Sequence, residues 1–246
     1  MEDLFSVKDS VIVVTGANGL LGRQFSAELE SRGALIIGFD QKDTPAVNIV
    51  DEDSVRTAVK RVFDEHGRID GLIHCAAMDA VPGGNQKQSA AYHEFDFALW
   101  EREVQVNLSG SFLVTKHVAK HMMEARNGSI VFVSSDLGLI APNNTIYEPG
   151  NFKDIAYVSS KSGVIGLMRA WASYLGPYNV NVNALVPGGV YNNQSPQFVE
   201  KNVKLNMKGR MANENEYNGA VVFLCSKASS YMTGATLVLD GGRTAW

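Results

Sequence analysis

Tyr157 and Lys161 stand four residues apart in AYVSSKSG, a spacing that puts both side chains on one face of a helix, one turn from each other. A phenol is a poor acid or base near neutral pH because its unperturbed pKa is about 10. An ammonium beside it favours the phenolate, and a phenol tuned in this way can exchange a proton with an alcohol or a carbonyl oxygen. Ser134 and Ser135 end the strand-like run SIVFVSS, where a hydroxyl can hydrogen-bond the oxygen on which charge develops. Asn107, in VQVNLSGSF, adds an amide from a second helical stretch. These residue types suit proton transfer at a hydroxyl or ketone oxygen.

A partner for that chemistry is written in residues 11–22, VIVVTGANGLLG, which run from a buried-type strand into a glycine turn and then an apolar helical pattern. Gly16 permits the tight turn, Gly19 leaves no side chain where a pyrophosphate must approach the backbone, and Gly22 lets the helix lie close on the sheet. The start of the helix offers unpaired N–H groups to phosphates. The next strand, ALIIGFD, ends at Asp40, whose carboxylate can accept hydrogen bonds from an adenosine ribose and repels a 2′-phosphate. Ala17, Asn18 and Gln41 bring no cation there. The cofactor expected from these residues is NAD.

Positioning such groups takes alternating strands and helices. Strand-like runs fall at 11–14, 34–39, 71–77, 129–135, 180–187 and 235–240. Between them, Val55, Ala58, Val59, Val62 and Phe63 keep one helical stripe, started by Asp53 or Ser54 and closed by Gly67. Further helices are expected at about 97–125 and 155–176. Near-continuous apolar strands between helices predict an α/β fold: a doubly wound, Rossmann-type parallel sheet with helices on both faces, in one domain over residues 1–246. Three polar stretches, 78–96, 138–154 and 188–212, each follow a strand and so belong at the carboxyl edge of the sheet, where ligands bind in this architecture.

The 246 residues are 45% hydrophobic and 20% charged, with a net charge of −4. That balance leaves enough apolar material for a core and argues against a nucleic-acid partner, which wants a basic surface. No apolar run approaches the roughly 20 residues that span a bilayer, and the opening MEDLFSVKDS does not read as a signal peptide. Cys75 and Cys225, each in an apolar stretch, read as buried free thiols of a reducing cytoplasm. His117 and His121 have the i, i+4 spacing of a zinc pair but lack the glutamate between them that a metalloprotease uses. They read as a solvated or subunit-facing surface, and no metal site is expected.

Taken together, these motifs resemble the short-chain dehydrogenase/reductase superfamily over nearly the whole chain. TGANGLLG is similar to its cofactor turn, VNLSGSF supplies its helix asparagine, and IVFVSSDLG its serine. AYVSSKSG supplies the tyrosine and lysine, and VNALVPGG and YMTGATLVLDGG match the last two strand regions. The resemblance implies a tetrad of Asn107, Ser135, Tyr157 and Lys161, with Ser134 as the fallback for the serine. It implies that Lys161 also binds the nicotinamide ribose, and that Asn107 helps hold a water in the proton relay. Val190, after Pro187–Gly189, aligns with the backbone that contacts the carboxamide. With Gly16, Gly19, Gly22 and Asp40, the implied cofactor set takes in Asn18, Leu21, Asn48, Ile49 and Ala76, then Tyr157, Lys161, Pro187, Gly188 and Val190. Members commonly pair two long helices to form dimers or tetramers, so Val114, Val118 and Trp171 are expected at the contacts of a homotetramer or homodimer.

The chain departs from the family in places. Its glycine spacing is that of the extended, sugar-nucleotide-modifying branch, and Asn48 stands where an aspartate commonly touches adenine. His74 and Cys75 replace paired asparagines, and Asn192 replaces a frequent threonine. Twenty-two positions separate Ser135 from Tyr157, a long connection, and the surplus NNTIYEPGNFKD is rich in amides and charge. Asn143, Asn144, Tyr147, Glu148 or Asn151 is therefore expected to face a hydroxyl-rich substrate, with Lys153 a phosphate partner. The loops after LIHCAA and SSDLG, with APNNTIYEP, resemble those of dehydrogenases with flagellin-glycan and surface-polysaccharide functions, which implies a sugar, sugar phosphate or nucleotide-linked sugar. The expected activity is an NAD-dependent interconversion of a secondary alcohol and a ketone. An NADPH-dependent 3-oxoacyl thioester reductase is the competing enzyme, disfavoured by Asp40. A non-catalytic dinucleotide sensor is the competing class, and such proteins usually lose the tyrosine or the lysine.

Overall fold

A computed structural model of the chain describes residues 3–79 and 91–246; residues 80–90, within the first polar stretch, lie outside the described residues. Six strands, β1 (Val11–Thr15), β2 (Leu35–Phe39), β3 (Gly71–His74), β4 (Gly128–Val133), β5 (Val180–Pro187) and β6 (Thr236–Leu239), form one sheet in the order β2-β1-β3-β4-β5-β6. Every neighbouring pair is parallel. A parallel sheet needs cover on both faces, and β1 shows how it is met. Val11 and Val13 pack with α2 (Glu52–His66), α4 (Gly110–Ala125) and α5 (Ile155–Leu175), while Ile12 and Val14 pack with α1 (Leu20–Ser31) and α7 (Asn218–Leu224). The two-residue alternation of a strand thus sends neighbouring side chains into two separate cores.

The helices follow their sequence stripes with corrections of detail. In α2, Val55, Ala58, Val59 and Val62 are buried, and Gly67 ends the helix at φ 69°. Its cap is Asp51, not Asp53 or Ser54. Asp51 sits one residue outside the helix, where its carboxylate accepts the N–H groups of Asp53 at 2.9 Å and Ser54 at 3.3 Å. The helix expected at 97–125 is α3 (Phe97–Val104) and α4 joined by a π-helical turn, Gln105–Ser109.

Val114 and Val118, expected at subunit contacts, are fully buried against the sheet. The outward stripe carries Phe112 (43% exposed) and Tyr174 (57% exposed), whose rings each lie 6.0 Å from Trp171 between them. His117 and His121 serve separate ends: His117 Nε2 lies 3.1 Å from Glu52 Oε1, and the His121 ring stacks on Phe63 at 4.0 Å. Among the described residues no helix is long and apolar enough to cross a membrane.

β1 and β3 are neighbours, and the connections that leave them run to opposite sides, from β1 to β2 and from β3 to β4. They open a crevice over the carboxyl ends of the strands, where the polar stretches gather.

Candidate active site

The crevice has two compartments of roughly 620 and 360 Å³, each within the range that takes up small molecules. Gly16, Asn18, Asp40, Asn48, Ile49 and Ala76 line the first. Gly16 turns at φ 66°, and a Cβ there would lie 2.7 Å from the backbone of Ala76. A Cβ on Gly22 would lie 2.1 Å from the Gly16 carbonyl oxygen, so Gly22 supports the turn from behind and does not itself line the compartment. Helix α1 begins after Gly19 with no side-chain cap and no acid in its first turn. Its N–H groups and positive dipole end are therefore left for an anion. Asp40 accepts the backbone N–H groups of Asn18 at 3.1 Å and Lys42 at 3.0 Å, which ties the glycine turn to the end of β2. A cradle without side chains, an uncapped helix start and a carboxylate beyond it fit a dinucleotide. Lys42 and Arg102 line the same compartment, two cations that the sequence reading left out.

Leu21, Ser135, Tyr157, Lys161, Pro187, Gly188 and Val190 line the second compartment. Lys161 is buried, and its Nζ donates to the Val133 carbonyl at 2.8 Å. Removal from water brings its ammonium down to about 8. Tyr157 does not behave as the spacing alone suggests. Burial pushes its phenol well above 10, the carboxylates of Asp79 and Asp136 push the same way, and a hydrogen bond with Ser135 opposes them. The expected lowering by Lys161 is outweighed because that lysine's Nζ, held on Val133, sits 5.7 Å from the ring centroid.

The two serines separate cleanly. Ser134 also borders the cavity, but its hydroxyl is donated to the Lys161 carbonyl at 2.8 Å. Ser135 accepts the Leu137 N–H at 3.2 Å and donates to Asp136 Oδ1 at 2.8 Å. Asp136 is held in turn by Arg243, Nε to Oδ2 3.1 Å, with both side chains 9% exposed. Burial raises the Asp136 carboxyl, and Ser135 and Arg243 pull it back.

Asn107 lies in the π-helical turn, buried behind the cavity wall. Its Oδ1 accepts the Met78 N–H at 2.7 Å, and its Nδ2 donates to the Met78 carbonyl at 3.0 Å and to Ser160 Oγ at 3.1 Å. It anchors the segment that follows β3. His74, in the place of an asparagine, stacks on Phe132 with Nε2 2.8 Å from Thr115 Oγ1, and burial brings it down to about 3. It is a neutral core group. Burial likewise pushes the Cys75 and Cys225 thiols up to about 12, so neither offers a thiolate.

The connection 138–154 reaches the cavity by different residues from most of those expected. Tyr147 and Asn143 line it, but Glu148 and Asn151 do not. Glu148 is exposed and Asn151 half-buried, the Asn151 N–H closing a turn on the Glu148 carbonyl. The amides close the loop's own backbone: Asn143 Oδ1 accepts the Thr145 N–H and Asn144 Oδ1 the Lys153 N–H, each at 3.0 Å. Lys153 is no free phosphate partner, since its buried Nζ lies 2.5 Å from Asp79 Oδ1. Ile146, Phe198 of α6 (Pro196–Val203) and Met211 pack together as an apolar roof. Polarity at the walls comes from Asp79, Lys153, Asp136 and Arg243, with Asn192 and Gln194. Asp79, Asp136 and Arg243 were missed from the sequence, although each follows a strand's carboxyl end and could have been sought there.

This sheet, turn and cluster define a class. The family described as enoyl-(acyl carrier protein) reductase matches residues 20–244, and the chain belongs to the short-chain dehydrogenase/reductase superfamily. The 3-oxoacyl-(acyl-carrier-protein) reductase of Thermotoga maritima is 30% identical to it, over 96% of this chain and 98% of that protein. The NAD-dependent glycerol dehydrogenase of Listeria innocua is 27% identical, over 98% of this chain and 96% of that one. A short-chain dehydrogenase from Leptospira borgpetersenii, solved with bound NAD+, matches with a TM-score of 0.89 at 25% identity, over 99% of this chain and 96% of that one. Such relatives make the chain an oxidoreductase of this superfamily that binds a nicotinamide dinucleotide.

Proposed function

We propose that the protein interconverts a secondary alcohol and a ketone with NAD(H), on a small hydroxylated substrate such as a polyol, sugar or sugar phosphate. The observation that carries the reaction is the grouping of Ser135, Tyr157 and Lys161 around one cavity that adjoins the glycine cradle. NAD+, when bound, supplies the hydride acceptor. In oxidation Tyr157, as its phenolate, would take the hydroxyl proton, Ser135 would fix the substrate oxygen, and Lys161 would hold positive charge near the phenol. Asn107 keeps the wall behind them in place through Met78.

Asp40 supports NAD over NADP, because a second negative group beside its carboxylate is repelled. The ion-paired walls support a hydroxyl-rich substrate, since they offer placed donors and acceptors that an acyl chain leaves unmatched. The glycerol dehydrogenase relative points the same way. A second reading, 3-oxoacyl thioester reduction, is favoured by the Thermotoga relative and by the apolar roof. The outward stripe of Phe112, Trp171 and Tyr174 supports a homotetramer or homodimer, and the two free thiols a cytoplasmic location. Residues 1–246 act as one dinucleotide-binding unit in this proposal.

The test is NADH formation with a panel of polyols, sugars and sugar phosphates, run beside NADPH consumption with an acetoacetyl thioester. Turnover of the panel with NAD+ is expected. Efficient thioester reduction with NADPH and silence on the panel would replace the first reading with the second.

A further inference from the structure

Tyr157 has more charge around it than the reaction proposed above uses. Lys161, one turn further along α5, keeps its Nζ on the Val133 carbonyl. A second ammonium lies nearer: Lys153 Nζ is 4.0 Å from the centroid of the Tyr157 ring. Lys153 sits one turn before Tyr157 in the chain, and its side chain is only 8% exposed. Two contacts fix it there, its Nζ on Asp79 Oδ1 and its backbone N–H on Asn144 Oδ1. The following residue, Asp154, caps α5 by accepting the N–H groups of Ala156 at 2.8 Å and Tyr157 at 3.2 Å. Buried Glu103 of α3 is hydrogen-bonded to Asp154 from the other side. Side chain and backbone of Tyr157 are thus held by one ionisable cluster.

A cation over an aromatic face is attracted by the ring's negative face. A phenolate spreads its charge into the ring, so the attraction grows when the proton leaves. On the strength of the reaction proposed above, we infer that Lys153 is a positioning residue for it: held by Asp79 against the Tyr157 ring, it stabilises the ring's negative charge whenever the phenol is deprotonated. Lys161 and the Ser135 hydroxyl also favour the deprotonated form. Asp79, after β3, and Asp136, after β4, oppose it, with Arg243 offsetting Asp136; neutral Tyr147 closes the remaining side. Lys153 touches both the ring and Asp79, and so counters the carboxylate that raises the phenol more. A lysine meant to meet a substrate phosphate would keep its ammonium free, and this one is held.

The two members of the pair must then act on Tyr157 with opposite signs, which a structural role alone does not produce. The full-length variants Lys153→Met, Lys153→Arg and Asp79→Asn are titrated as NAD+ complexes. Each is followed by tyrosinate difference absorbance against its own Tyr157→Phe partner, and by the pH dependence of kcat for alcohol oxidation. Lys153→Met is expected to move the ionisation up by roughly one pH unit. Lys153→Arg is expected to restore it, Asp79→Asn to move it down, and the KM for NAD+ to stay constant in all three. An unchanged ionisation in Lys153→Met, or a shift of the same sign in both variants, overturns the inference. Should Lys153→Met not fold, the sign for Asp79→Asn decides alone, and no downward shift overturns it. A wild-type enzyme that oxidises no alcohol defeats the reaction proposed above, while the absorbance titration still reports on Lys153.

Discussion

The two compartments of the crevice are made of different material. The dinucleotide side is backbone: a turn at Gly16, an uncapped helix start after Gly19, and Asp40 holding the turn through the Asn18 N–H. The substrate side is side chains that meet across the chain, such as Asp79 with Lys153, 74 residues apart, and Asp136 with Arg243. A backbone site depends on which side chains are missing from a dozen consecutive residues. A side-chain site depends on distant groups arriving together, and its buried charges, Lys153, Asp136 and Arg243, must each find a partner. One can be retuned residue by residue; the other can only be kept or broken.

The largest expected effect separates the two sides outright. Tyr157→Phe should lower turnover by about 10²–10⁴-fold while NADH titration, followed by fluorescence, stays near wild type. Near-native turnover would show that the substrate side does not act through this phenol. Next comes Asp136→Asn, which weakens both the hold on Ser135 and the pairing with Arg243. It should cost about 10–100-fold in kcat/KM, the worth of a charge-assisted hydrogen bond, again with cofactor affinity unchanged. On the dinucleotide side, Asp40→Ala should reduce kcat/KM with NAD by about tenfold and narrow the preference over NADP, measured with both cofactors at fixed substrate. A wild-type enzyme that prefers NADPH would reverse the meaning of Asp40 and point to Lys42 and Arg102.

The smallest effect concerns the stability of the side-chain network. Burial and Asp154 push the Glu103 carboxyl up to about 8, from an ordinary 4.5. Between those values the folded chain keeps a proton that the unfolded chain has lost, so stability falls as pH rises through that window. Glu103→Gln keeps a donor toward Asp154 and removes the titration. It should raise Tm by roughly 2–4 °C at pH 8 and leave it unchanged near pH 4.5, by thermal melts at both.

The sequence made the backbone side readable because its requirements are local: strand, three glycines and the acid ending the next strand. The parallel sheet was equally readable, since each strand is a short apolar run between helices. The substrate side was readable only where one residue acts alone. Ser134 and Ser135 look alike in sequence, and what separates them is that one hydroxyl reaches the Lys161 carbonyl and the other Asp136. Asn143 and Asn144 promised substrate contacts, but a short amide serves its own loop backbone as readily. Val114 and Val118 were placed on the outer face because α4 is apolar on more than one side, and phase alone does not choose between its stripes.

The π-helical turn Gln105–Ser109 would let this protein absorb a shortened chain at one place. Such a turn carries one residue more than a regular helix needs, bulged out so that the flanking turns keep their phase. Losing a residue elsewhere in α4 would rotate all that follows by about 100° and swing Val118 away from the sheet. Losing one inside the turn would let the helix close to a regular one with both flanks still aligned. What would go is the hold of Asn107 on Met78 and Ser160. A one-residue deletion there is thus a natural route to descendants that keep the fold, and even the dinucleotide cradle, while the reaction is lost.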